Sequence, residues 1–174
     1  MIGITGYKGV LGAIICKMLS DKNEMFSVFE GDIRDFDSLY NWLHFNNIDY
    51  VIHLASKVAV TDVENNLDEA YDVNVNGTIA LIKAIKKYNR PIGLFYASSS
   101  HVYASSENLI KETDAILPQN SYGLTKYVSE LLLQDFSKSN SFLNLCIGRI
   151  FSFYHDTQKP PFLYPNLKKR FETE

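Results

Sequence analysis

Tyr122 and Lys126 are spaced i, i+4 near the start of a segment with helical periodicity, so both side chains project from one face. That geometry suits proton transfer. A free phenol titrates near pH ~10, and an adjacent ammonium favours the phenolate, bringing the pKa toward the working pH. Tyr122 can then exchange a proton with a substrate oxygen. The spacing alone is unspecific, because Tyr164 and Lys168 repeat it with Pro165 between them and no strand ahead to aim them. What distinguishes the first pair is the stretch Leu94-Phe95-Tyr96-Ala97-Ser98-Ser99-Ser100-His101-Val102-Tyr103, an apolar strand ending in three serines. In an open parallel sheet, ligands bind at the carboxyl ends of the strands, where serines and tyrosine would meet.

A second group of residues points to a phosphate. Gly6, Gly9 and Gly12 stand in Thr5-Gly6-Tyr7-Lys8-Gly9-Val10-Leu11-Gly12, directly after a strand pattern and opening a helix. Glycine there lets backbone N–H groups approach a pyrophosphate, and the helix N-terminus faces it with partial positive charge. Lys8 either reaches a phosphate, including the extra one of NADP, or is solvated. After the second strand pattern, Glu30 or Asp32 stands where a ribose-binding carboxylate is expected, and Asp35 reads as the cap of the next helix.

These residues must be held by a scaffold, and the rest of the chain supplies one. Strand patterns at 1–5, 25–29, 50–54, 93–97 and 142–150 alternate with helical ones at about 10–19, 36–45, 67–88 and 121–136. This alternation predicts an α/β fold with a Rossmann-type doubly wound parallel sheet. In the long helix, Val75, Ile79, Ile82 and Ile85 would face the sheet, Asn89 would end it, and Pro91 follows. The stretch after Phe151, with Pro160, Pro161 and Pro165, shifts in composition, so the chain divides into a unit at 1–150 and a different one beginning at 151–174.

Composition narrows the classes. With 46% hydrophobic and 21% charged residues over 174 positions, one globular core is the default. A net charge of −3, with Lys168, Lys169 and Arg170 the sole basic cluster and reading as a solvated helix face, argues against nucleic acid. No apolar run approaches membrane-spanning length, and Met1–Thr5 enters a strand at once, leaving no room for a leader. Cys16 and Cys146 lack the paired spacing of a metal site or disulfide framework, which fits a reducing cytoplasm; no metal is expected.

Taken together the motifs resemble the extended short-chain dehydrogenase/reductase family, in its NAD(P)-dependent nucleotide-sugar epimerase, dehydratase and reductase branch. The resemblance spans nearly the whole chain. It includes the glycine loop, Gly31-Asp32-Ile33-Arg34-Asp35, His53-Leu54-Ala55-Ser56, Asn74-Val75-Asn76-Gly77-Thr78, the serine strand, Ser121-Tyr122-Gly123-Leu124-Thr125-Lys126, and Arg149-Ile150. It implies that Ser99, three positions before Val102, hydrogen-bonds the reacting oxygen, that Tyr122 is the general acid/base, and that Lys126 holds the nicotinamide ribose and tunes the tyrosine. Tyr122 and Lys126 would thus also touch the cofactor, NAD or NADP. Gly6, Lys8, Gly9, Val10, Gly12, Asp32, Ile33, Leu54, Ala55, Ser56 and Asn74 would line it, while His53 would be structural. The family passes hydride between the nicotinamide and a sugar carbon, usually carbon 4 of a hexose on a nucleoside diphosphate, typically in surface polysaccharide synthesis. It also implies a homodimer packed through the 67–88 and Tyr122 helices.

Departures from the pattern refine these expectations. Dehydratases of the family place an acidic pair after the catalytic serine or threonine, where this chain has Ser100 and His101, so dehydration is disfavoured. Ser100 and His101 become substrate-contact candidates. His101 is either a second acid/base, since imidazole titrates near neutrality, or a packed pocket wall. Between the first helix and Gly31 the chain is short, with one strand in place of the usual two, which resembles compact 4-keto reductases more than epimerases. Family members continue well past Glu174, so 151–174 would be only the beginning of a small substrate-binding domain. The expectation is therefore a 4-keto reductase or 4-epimerase, with a non-catalytic NAD(P)-binding subunit or a dehydrogenase of non-sugar ketones as alternatives.

Overall fold

The computed structural model describes residues 1–160 and 162–173; Pro161 and Glu174, both in the expected second unit, lie outside the described residues. Five strands, β1 (Ile2–Thr5), β2 (Phe26–Val28), β3 (Tyr50–His53), β4 (Ile92–Ser99) and β5 (Leu143–Ile150), form one sheet in the order β2-β1-β3-β4-β5. Every pairing is parallel. The single strand expected between the first helix and Gly31 is β2. The chain steps outward from β1 to β2 and then back across to β3, so the sheet reverses direction between β1 and β3, the place where such sheets bind ligands.

Right-handed crossovers put α1 (Val10–Asp21) on one face and α2 (Phe36–Phe45), α5 (Gly77–Tyr88) and α6 (Ser121–Ser139) on the other. The crowded face holds the main core, in which Leu39, Trp42, Leu43, Leu81, Ile85, Leu94 and Leu133 are buried. Gly3 belongs here: a Cβ on it would lie 2.6 Å from the Trp42 ring. On the opposite face the cross-strand row Ile4, Ile52, Phe95 and Cys146 runs from buried to exposed as it leaves α1. Cys146 and the half-buried Cys16 are both free thiols.

Local chemistry sets the element ends. Asp35 caps α2, its carboxylate accepting the Ser38 N–H at 3.1 Å. Asn89 ends α5 in the left-handed region, at φ 49°. The long helix expected over 67–88 is corrected. It breaks into α3 (Val60–Asn65), α4 (Leu67–Tyr71), a π-helical turn at Asp72–Asn76, and α5. Asn66 starts α4 by accepting the Glu69 N–H. The Asn74 carbonyl, inside the wide turn, accepts the hydroxyls of Thr78 at 2.7 Å and Ser129 at 3.0 Å, which offsets the distorted ladder. β4 also runs two residues past Ala97, taking Ser98 and Ser99 into the sheet. A last helix, α7 (Leu163–Thr173), follows β5 and carries Pro165 in its first turn, where a missing N–H is tolerated. Among the described residues no helix is long and apolar enough to cross a membrane.

Candidate active site

The carboxyl ends of β1, β3, β4 and β5 open onto one cavity of about 820 Å³. Its floor and walls include Lys8, Gly9, Val10, Gly12, Leu54, Ser56, Ser99, Ser100, His101, Tyr122 and Lys126. Residues from four separated motifs therefore converge. The glycine turn is built for close approach. Gly6 has φ 71°, and a Cβ there would stand 2.5 Å from the Ala55 backbone nitrogen. A Cβ on Gly12 would stand 2.4 Å from the Gly6 carbonyl oxygen. Gly9, the N-cap of α1, meets just that carbonyl at 3.3 Å, so it leaves a bare cradle at the helix N-terminus.

The three serines separate by pleat. Ser98 turns to the buried Glu130 carboxylate, Ser99 accepts the His101 N–H at 3.2 Å, and Ser100 begins a short 3-10 turn. Tyr122 sits in the first turn of α6, where Asn120 caps the helix by accepting the Gly123 N–H at 2.8 Å. Burial pushes the Tyr122 phenol up, and the Ser99 side chain pulls it back. The expected lowering by Lys126 is thus corrected for this state: desolvation dominates, and the ammonium is engaged elsewhere. Lys126 is buried, with Nζ 3.3 Å from the Ser56 hydroxyl and 4.6 Å from the centre of the Tyr96 ring. Burial brings its pKa down to about 7, opposed by Glu130.

Other expected residues stand outside the cavity walls. Gly6 opens the turn, its carbonyl accepting the Gly9 N–H at 3.0 Å. Ala55 is held by its N–H on the Thr5 hydroxyl at 3.3 Å. Ile33 is buried against the Gly77 position. Asp32 lies on the surface, ion-paired to Arg34, which also reaches Asp72 at 2.6 Å; the guanidinium holds the Asp32 carboxyl down at about 2. Glu30 accepts from the Tyr7 hydroxyl at 3.2 Å. Asn74 is buried behind the cavity wall, where its amide is bonded on both sides. Its amide oxygen takes the Lys57 N–H at 2.7 Å and the Ser56 hydroxyl at 2.9 Å, while its nitrogen donates to Thr125 and the Lys57 carbonyl. It thereby ties the Ser56 loop to α6. His53 is fully buried and bonded to Thr5 at 2.7 Å; desolvation first, and the Lys126 charge second, bring it down to about 3, so it stays neutral as a structural group.

Several participants were not singled out from sequence. Glu130 is fully buried and grips Arg149 with both oxygens, at 2.8 Å and 3.1 Å, while Arg149 also donates to the Tyr103 hydroxyl at 3.0 Å. The positions 122, 126 and 130 form a visible stripe, but the Arg149 partner lies on another strand. Phe151, Phe153, Tyr154, Leu163, Tyr164 and Leu167 add an apolar wall. The second Tyr-Lys pair divides: Tyr164 joins this wall while Lys168 faces Glu172 at 3.9 Å. Among the described residues no group of three potential ligands could hold a metal ion.

Fold and site together define an α/β domain of the Rossmann type with a Ser-Tyr-Lys group at its ligand-binding end. The profile of the GDP-mannose 4,6 dehydratase family matches residues 12–170. A UDP-glucose 4-epimerase of Mycoplasma genitalium is 36% identical over 98% of this chain and 59% of its own length. A dTDP-4-dehydrorhamnose reductase of Aggregatibacter actinomycetemcomitans is 32% identical over 80% of this chain and 49% of its own. The structure of MoeE5 in complex with UDP-glucose and NAD superposes with a TM-score of 0.83 at 25% identity, covering 95% of this chain and 59% of MoeE5. The chain belongs to the extended short-chain dehydrogenase/reductase family, in its nucleotide-sugar epimerase and dehydratase branch. It spans about half to three-fifths of the length of these relatives.

Proposed function

We propose that this chain is the NAD(P)-binding, proton-transferring part of an oxidoreductase or epimerase acting on a nucleotide-linked sugar, of the 4-keto reductase or 4-epimerase type. The observation that carries it is the convergence of the glycine cradle, Ser99, Tyr122 and Lys126 on one cavity. The cradle fits a pyrophosphate, since Gly9 presents backbone at a helix N-terminus with room where a side chain would be. When bound, the nicotinamide would give or take the hydride. Ser99 would hold the reacting oxygen, and Tyr122, kept protonated by burial in this state, would give it a proton. Lys126 would hold the nicotinamide ribose from its place beside Ser56 and Tyr96. Lys8, Val10, Gly12, Leu54 and Ser56 would line the cofactor, with Ser100 and His101 toward the sugar.

The dehydratase in the family's description does not fit as well, because Ser100 and His101 occupy the positions of the acidic pair that elimination needs. Both relatives above act at a sugar carbon 4 by name, as epimerase and reductase. We read residues 151–174 as the start of a substrate-binding unit, to which the apolar wall from Phe151 to Leu167 would belong. We also propose a homodimer through the outer faces of α5 and α6, a cytoplasmic setting suited to the two free thiols, and a place in polysaccharide synthesis. A non-catalytic NAD(P)-binding role is the competing reading.

The test is a titration of the purified chain with NADH and NADPH followed by nicotinamide fluorescence, beside Gly9→Asp, which sets a carboxylate in the cradle. Tight binding of one cofactor that the variant loses supports the reading and chooses between NAD and NADP. A folded chain that binds neither overturns it. Loss of turnover of a nucleotide sugar in Tyr122→Phe would then separate the enzyme from a binding subunit.

A further inference from the structure

The cap of α6 also touches the cavity. Asn120 lies one residue before the helix, and its Oδ1 accepts the Gly123 N–H at 2.8 Å. A backbone N–H can only donate, so the oxygen must be the atom that faces it. The other end of the carboxamide is then the NH₂ group, and it stands 2.8 Å from His101 Nδ1. An amide nitrogen has no lone pair to offer, so Nδ1 must be the acceptor. A neutral imidazole with a bare Nδ1 carries its proton on Nε2.

The backbone that carries the ring is held in place. Gly123 packs directly on the His101 backbone, where a Cβ would stand 2.2 Å from the His101 carbonyl oxygen. The His101 N–H is itself bonded to Ser99, and its ring lies edge-on to Tyr122 with centroids 5.6 Å apart. Among the described residues Nε2 has no hydrogen-bond partner, while His101 lines the cavity with Ser99 and Tyr122.

We infer that Asn120 fixes the tautomer of His101, so that the cavity wall beside Ser99 and Tyr122 presents an Nε2–H donor. The ligand group that suits this wall is an acceptor oxygen, a carbonyl or a hydroxyl lone pair. Calling that oxygen a sugar oxygen rests on the function proposed above. Asn120 is a positioning residue, acting through the histidine, and His101 is a specificity-determining one.

The test is the nitrogen chemistry of His101 in the ligand-free chain. Long-range proton–nitrogen NMR of ¹⁵N-histidine-labelled protein at pH about 8.5, where an ordinary imidazole is neutral, distinguishes a bare ring nitrogen from a protonated one. His101 is assigned by the signals missing in His101→Gln. The expected result is a bare Nδ1 and a protonated Nε2. Asn120→Asp keeps an oxygen for the Gly123 N–H but turns a second oxygen toward the ring, so Nδ1 is expected to gain a proton. Asn120→Ser keeps a capping oxygen and withdraws the ring partner, so the two nitrogens should move to averaged positions. It serves if the aspartate variant does not fold. A protonated Nδ1 in the wild type, or variants that leave its pattern unchanged, overturns the inference. UDP-glucose affinity is the second readout, expected to fall about tenfold in Asn120→Asp, the value of one hydrogen bond. An equal affinity removes the selective role. If the wild-type chain binds no UDP-glucose, that role falls with the function it rests on, whereas the tautomer is decided by the NMR alone.

Discussion

Lys126 shows how far burial reshapes a residue that local spacing identifies. Its partners are a hydroxyl, an aromatic face and Glu130 one helical turn away, and desolvation outweighs them, bringing the ammonium to about 7. An unfolded lysine titrates near ~10.4, so between these two values the unfolded chain binds more protons than the folded one. Stability should therefore rise with pH across that window, and the penalty is complete below it. Lys126→Met is expected to be more stable than wild type at pH 7, on the order of 1–2 kcal/mol, and to lose the upward slope. Urea unfolding at pH about 7 and about 9 measures both. Glu130 carries the opposite expectation. Glu130→Ala strands the Arg149 charge and should lose about 3–5 kcal/mol of stability, whereas Glu130→Gln keeps hydrogen bonds and should lose less. Equal losses for the two would mean that the carboxylate charge alone, and neither packing nor hydrogen bonding, carries the contact. Tyr122, Lys126 and Ser99 were legible because their relation to a helix face or strand end is local; Glu130 was not, because a buried carboxylate declares its role through a partner on another strand.

At the scale of elements, α6 is the part that aims the site. It is fixed at its start by the Asn120 cap and by backbone contact at Gly123, and along its length by Thr125 and Ser129 bonding to Asn74 and Glu130 bonding to Ser98. Gly123→Ala would drive a methyl into the His101 carbonyl, so the helix start must move away from the 3-10 turn after β4. A stability loss of about 1–3 kcal/mol is expected, with weaker NADH binding as Tyr122 leaves Ser99. Wild-type values for both would show that the backbone contact has slack. The same interplay explains the helix read as continuous over 67–88. Its apolar periodicity is genuine, but the break follows from Asn66 capping α4 and from hydroxyls of Thr78 and Ser129 reaching the Asn74 carbonyl. Periodicity does not register such bonds.

Over the whole molecule, the direction of each crossover decides which surfaces are covered. α2, α5 and α6 bury one face of the sheet and α1 packs on the other, whose β5 end is exposed at Cys146. On α6 the outer face carries Leu124 and Leu131, 41% and 46% exposed, with Val128 between them. This stripe is what the proposed homodimer would cover. The wild-type chain is expected to sediment as a dimer, and a Leu124→Asp, Leu131→Asp pair as a folded monomer. Wild type running as a monomer would remove the dimer from the proposal. By itself the sequence determined the alternation of strands and helices, the glycine turn, the caps at Asp35 and Asn89, and the Tyr-Lys pair, because each depends on neighbours within a few residues. The tertiary structure alone decided that Asn74, Asp32 and Ile33 leave the cavity wall, that Glu130 and Arg149 pair beneath it, and that Lys126 is desolvated. Those outcomes depend on which side chains from distant strands arrive at the same place, and on how much water they exclude when they do.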